Sequence, residues 1–105
     1  MAIIEVTSAE QFEALLRENA KVSVMFTAAW CGPSRVISPT FRHLSEQHTD
    51  IVFVSVDVDK VAPAAQKYNI RAMPTFVFFK DGEKNDDLMG ANKVGLEDKV
   101  KTLAA

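Results

Sequence analysis

Trp30-Cys31-Gly32-Pro33-Ser34-Arg35 places the single cysteine of the chain in a setting suited to reaction. A thiol reacts as its thiolate, and the unpaired amides and positive dipole end of a helix start favour an anion. Gly32 and Pro33 make the turn narrow and rigid, and Ser34 offers a hydroxyl to the same sulfur or to the helix start. An unselected lone cysteine is most often a small buried hydrophobe. Such a residue needs no adjacent tryptophan, Gly-Pro turn and helix start, so the context favours a reactive Cys31. One cysteine cannot form an internal disulfide, and stability must come from packing. His43 and His48 have no cysteine or carboxylate cluster at metal-ligand spacing and read as surface residues, so neither a metal nor a cofactor is expected. Asp57, Asp59 and Lys60 lie at a strand end and helix start, where capping is the expected role.

The elements that must hold this segment follow from apolar spacing. Ile3, Ile4 and Val6 suggest a short first strand, and Ser8-Ala9-Glu10-Gln11 is a capping-box pattern that opens a helix with Phe12, Leu15 and Leu16 on one face. Val22 to Thr27 and Ile51 to Val56 are β-branched or aromatic runs with little polar alternation, as expected for strands covered on both faces at a parallel centre. Cys31 thus falls where a central strand ends and a helix begins, the usual place for sites in open α/β sheets. Val36, Ile37, Phe41 and Leu44 mark that helix, and Pro39 removes an amide and should bend it one turn in. A third helix from about Val61 to Tyr68 carries Pro63 in its first turn. Phe76 to Phe79 reads as a buried strand, Lys80-Asp81-Gly82-Glu83 as a tight hairpin, and a last strand ends near Met89. Asn92 caps a final helix through Leu96, Val100 and Leu103. The predicted order is βαβαβαββα, an α/β fold with a central mixed sheet flanked by helices.

Composition narrows the function classes. The chain has 105 residues, 12 basic and 14 acidic, and a formal charge of -2. That length suits one domain, residues 1–105, and the charge supports neither nucleic acid nor an anionic membrane as partner. Met1-Ala2-Ile3-Ile4-Glu5-Val6 has no basic region and no long apolar run, so a cytoplasmic location is expected.

Ala28-Ala29-Trp30-Cys31-Gly32-Pro33-Ser34-Arg35 resembles the thioredoxin active-site segment, whose usual form has cysteine where Ser34 stands. Val56-Asp57-Val58-Asp59, Met73-Pro74-Thr75-Phe76, Phe79-Lys80-Asp81-Gly82 and Gly90-Ala91-Asn92-Lys93 resemble the later landmarks of the family, so the likeness covers essentially the whole chain. The resemblance implies the thioredoxin fold and thiol-disulfide oxidoreductase chemistry on protein disulfides, serving cell redox homeostasis and electron transport, with thioredoxin reductase as electron source. It implies that Pro74 is a cis-proline beside the reactive sulfur, that Met73 offers backbone groups to an extended substrate, and that Trp30, Gly32, Pro33, Met73, Pro74, Thr75, Gly90 and Ala91 line a substrate groove. From the sequence alone, Pro74 could equally be an ordinary trans residue leading into a strand, and Gly90 a position kept clear for neighbouring backbone.

Two departures qualify that implication. The family cycle has an attacking thiolate and a second cysteine that displaces the reduced substrate. Cys31 can do the first, but Ser34 cannot do the second, so a Cys31 intermolecular disulfide should persist until an external thiol resolves it. Met25 occupies the place of the buried aspartate usual in the family, and Ser55 that of the charged residue often found beside it. Ser34 is either an introduced residue that traps a partner or prevents an internal disulfide, or the mark of a natural monothiol protein resolved by glutathione. A third reading is a binding module that uses the groove with Cys31 incidental.

Overall fold

The computed structural model describes residues 3–105. Met1 and Ala2, which contributed to the expectation for the N-terminus, lie outside the described residues. The elements follow the predicted order: β1 (Ile4–Glu5), α1 (Ala9–Glu18), β2 (Lys21–Thr27), α2 (Gly32–Gln47), β3 (Val52–Asp57), α3 (Ala62–Lys67), β4 (Thr75–Lys80), β5 (Glu83–Met89) and α4 (Lys93–Ala104). The strands form one five-stranded sheet in the order β1-β3-β2-β4-β5. β1 and β2 both pair with β3 in parallel, while β4 runs antiparallel to β2 and β5 antiparallel to β4. Among the described residues, no helix is long and apolar enough to cross a membrane.

Alternation along the strands divides the core into two layers. Val22, Val24 and Phe26 of β2 join Phe12, Leu16, Val54, Val56 and Phe79 under α1 and α3. Met25 joins Ile37, Phe41, Phe53, Phe76, Phe78 and Leu96 under α2 and α4. Phe12 sits edge-on to Phe26, Tyr68 and Phe79, with ring centroids 6.0, 5.8 and 6.1 Å away. These edge-to-face contacts add to the hydrophobic gain and fix α1 over the sheet that carries the site.

The local signals explain the boundaries. Ser8 accepts from the Gln11 amide at 3.1 Å, closing half of the capping box, but the Gln11 side chain accepts from the Thr7 amide rather than from that of Ser8. Asn92 caps α4 by accepting from the Gly95 amide at 2.9 Å. Asp81 and Gly82 have φ of 53° and 84°, the pair of positive values a two-residue hairpin needs to match strand twist.

α2 differs from expectation in two respects. Pro39 lies in the middle of the helix rather than one turn in, because α2 begins immediately after Cys31 and continues through the proline to Gln47. Val36 is 77% exposed, since it lies about 100° around the helix from Ile37, which shares the buried stripe with Phe41 and Leu44.

Ser23 is a polar misfit in the second layer. Its side chain is fully buried, its register partners are Phe53 and Phe78, and its hydroxyl has no hydrogen-bond partner. An unsatisfied buried hydroxyl carries its desolvation cost without return. Ser23→Ala should therefore stabilise the protein by about 1 kcal/mol, a Tm rise of roughly 4–8 °C in thermal unfolding. A lower Tm would show that the hydroxyl is satisfied or that its volume matters more.

Candidate active site

β2 ends at Thr27, and the chain turns through Ala28 to Trp30 before α2 begins at Gly32. The Cys31 amide donates to the Ala28 carbonyl at 3.0 Å, and the Cys31 carbonyl accepts from the Arg35 amide at 3.3 Å. Cys31 is thus the N-cap residue of α2, with no side-chain cap. Its side chain is 6% exposed, and its thiol donates to the Met73 carbonyl over an Sγ–O distance of 3.5 Å. The reactive turn and the segment before β4, 42 residues apart in sequence, meet at this contact.

The Met73–Pro74 bond is cis, as the family resemblance implied. The Pro74 carbonyl accepts from the Gly90 amide at 2.8 Å, which ties the end of β5 to the same segment. Gly90 has φ of +92°, and nothing lies within 4 Å of where its Cβ would stand. Backbone clearance is therefore not its reason for being glycine, and the left-handed conformation is. Thr75 is buried and donates from its hydroxyl to the Ala72 carbonyl, bracing the turn that presents Met73. Gly32, Pro33 and Ala91 are exposed, and Met73 is half-buried.

Ser34 does not behave as expected. Its side chain is 1% exposed and its hydroxyl has no partner, so it bonds neither the Cys31 sulfur nor a helix-start amide. Its place inside the first turn of α2 turns the side chain into the protein rather than over the N-terminus. The position suits a sulfur atom, which tolerates burial without a strong hydrogen bond.

Trp30 is 63% exposed, consistent with a surface role, and its indole Nε1 donates to Asp59 Oδ2 at 2.9 Å. The expected capping role is not found, since α3 has Val61 as its N-cap with no side-chain cap; Asp57 instead closes the turn after β3, accepting from the Asp59 amide at 2.8 Å and the Lys60 amide at 3.3 Å. Asp59 is thus not a cap but the residue that orients Trp30, a role the sequence reading missed. Their separation of 29 residues leaves no local pattern to betray the contact. Asp59→Ala should free the indole and lower the fluorescence anisotropy of this single tryptophan, with stability changed by only about 0.5 kcal/mol because the contact is exposed. Unchanged anisotropy would mean that packing alone holds the ring.

Met25 is 4% exposed and is the register partner of Ser55 across β2 and β3. Neither side chain titrates in the ordinary range, so this pair offers no proton acceptor beneath the reactive turn. Met25 and Ser55 line a cavity of about 530 Å³ with Glu5, Ser38, Arg42 and Glu46. His43 is exposed and His48 half-buried, and no metal-holding group of histidine, cysteine and carboxylates occurs among the described residues.

A thiol at the start of a helix behind a parallel strand, facing the backbone ahead of a cis-proline, defines the class of thiol-disulfide oxidoreductases built on this sheet. The thioredoxin family model matches residues 3–102, and the chain belongs to the thioredoxin family. Thioredoxin-2 of Pyricularia oryzae is 46% identical over 97 residues, 92% of this chain, and the chain spans 57% of that relative's length. Among solved structures, the reduced thioredoxin of Schistosoma mansoni is 46% identical with a TM-score of 0.92, covering 98% of this chain and 99% of its own. An Entamoeba histolytica thioredoxin solved as a cysteine-to-serine mutant is 40% identical with a TM-score of 0.91, covering 96% of this chain and 99% of its own.

Proposed function

We propose that residues 1–105 act as one thioredoxin domain that captures protein disulfides through Cys31 and stops at the mixed disulfide. The carrying observation is the Cys31 thiol, held at the start of α2 against the Met73 carbonyl, with a buried Ser34 hydroxyl in place of a second sulfur. The Cys31 thiolate attacks one sulfur of a substrate disulfide, the substrate S–S bond breaks, a Cys31–substrate S–S bond forms, and the other substrate sulfur leaves as thiolate. Attack frees the Met73 carbonyl from the thiol, and an extended substrate segment pairs with the Met73 backbone as an added strand would. Trp30, Gly32, Pro33, Pro74, Thr75, Gly90 and Ala91 shape the groove around it.

Ser34 cannot complete the exchange, because a hydroxyl is not ionised at neutral pH and forms no bond to sulfur that would release the substrate. An external thiol such as glutathione resolves the adduct, whereas thioredoxin reductase would drive turnover only with a second cysteine in place. The reducing cytoplasm keeps Cys31 free for attack. The test is the intact mass of the chain after exposure to a disulfide-bonded protein. One substrate chain should add per molecule, be removed by dithiothreitol, and map to Cys31. Binding that survives alkylation of Cys31, with no adduct, would favour a groove-binding module instead.

A further inference from the structure

Among the described residues, the large apolar side chains left exposed are Trp30, Val36, Met89 and Val94. They sit on the reactive turn, the second turn of α2, the first turn of α4 and the end of β5. Met89 alone of these carries a thioether, and it is 69% exposed, whereas Met25 is 4% exposed and Met73 half-buried. Met89 is the register partner of Thr75, and the next residue, Gly90, donates to the Pro74 carbonyl. Met89 also lines a cavity of about 470 Å³, with Ile70, Thr75 and Val77 beside it and the charged Arg71, Lys84 and Asp87 at the same cavity. That cavity adjoins the segment along which an extended substrate lies, so a substrate side chain reaching past Pro74 would meet the thioether.

We propose that Met89 is a peroxide-sensitive modification site that slows disulfide capture by Cys31, an inference that rests on the capture reading above. A hydroperoxide transfers one oxygen to the Met89 sulfur: the O–O bond breaks, an S–O bond forms, the thioether is oxidised to the sulfoxide, and the hydroperoxide is reduced to the alcohol or water. The sulfoxide replaces a flexible apolar contact with a strongly hydrated group, and its desolvation opposes docking of an apolar side chain. Met89 lies outside both core layers, so the fold is unaffected.

The experiment uses the full chain with Cys31 protected as a mixed disulfide with 2-mercaptoethanol. Hydrogen peroxide is added and removed, and dithiothreitol then frees Cys31 without reducing a sulfoxide. Peptide mapping should find Met89 oxidised ahead of Met73 and Met25, and Cys31 should attack a cystine peptide with apolar flanks about fivefold more slowly than in the untreated chain. Treated and untreated Met89→Leu should react at the same rate as each other. Equal rates for the oxidised and unoxidised parent chain, or an equal slowing of Met89→Leu by peroxide, would overturn the inference. An untreated chain that forms no Cys31 adduct would overturn the capture reading and this inference with it.

Discussion

Ser34→Cys should turn a reagent that stops after one event into a catalyst. With thioredoxin reductase and its electron donor present, the variant should release substrate thiols continuously, rising from about one equivalent per chain to roughly a hundred or more. The residue lies in the first turn of the helix that Cys31 caps, three positions on, in the protein interior. A sulfur there replaces an oxygen that has no hydrogen-bond partner, so folding should be maintained or improved. The substitution supplies the missing nucleophile, which attacks the Cys31 sulfur of the adduct and leaves a disulfide between Cys31 and the introduced thiol for the reductase. A steady-state assay following thiol release reads the outcome directly. Continued failure to turn over would point to Met25, which leaves the interior without the buried carboxylate usual in the family.

The second large effect is the loss of all capture in Cys31→Ser. Attack on a disulfide requires a thiolate, and a serine hydroxyl at neutral pH is not a substitute, so the rate should fall by at least about a thousandfold. The fold should tolerate the change, because the side chain makes one weak hydrogen bond and the replacement is nearly isosteric. Circular dichroism and Tm would separate loss of chemistry from loss of structure. Residual binding of a disulfide-bonded partner to Cys31→Ser would measure what the groove contributes without the covalent bond.

Much of this architecture is legible in the sequence because the signals are local. The Ser8 and Asn92 caps, the Asp81-Gly82 hairpin and the largely apolar runs of β2, β3 and β4 each follow from a few adjacent residues. The reactive turn is equally legible, since a cysteine between tryptophan and Gly-Pro at a strand-to-helix junction has few structural reasons to exist. What escaped depends on distant partners or side-chain direction. The bond from Trp30 to Asp59 joins two loops, and no spacing rule distinguishes the orienting carboxylate from the turn-closing one two residues earlier. Val36 sits beside Ile37 in sequence, but only the helical rotation sends one outward and the other into the core. Ser34 is adjacent to everything it was expected to touch, yet its position inside the turn points the hydroxyl away from both the sulfur and the helix start. Gly90 shows the same limit: its presence suggested a close approach, while its backbone angle supplies the reason.

If Cys31 completes one half of a disulfide exchange and nothing in the chain completes the other, the stoichiometry of a single encounter must show it. The decisive experiment is a single-turnover reaction with a disulfide-bonded protein, run without external thiol, in which released thiol and adduct are counted on the same timescale. One thiol should be released per chain in step with one Cys31 adduct, which persists until dithiothreitol or glutathione is added. An adduct that decays unaided, or thiol release that continues past one equivalent, would contradict this stoichiometry and the half-exchange mechanism with it.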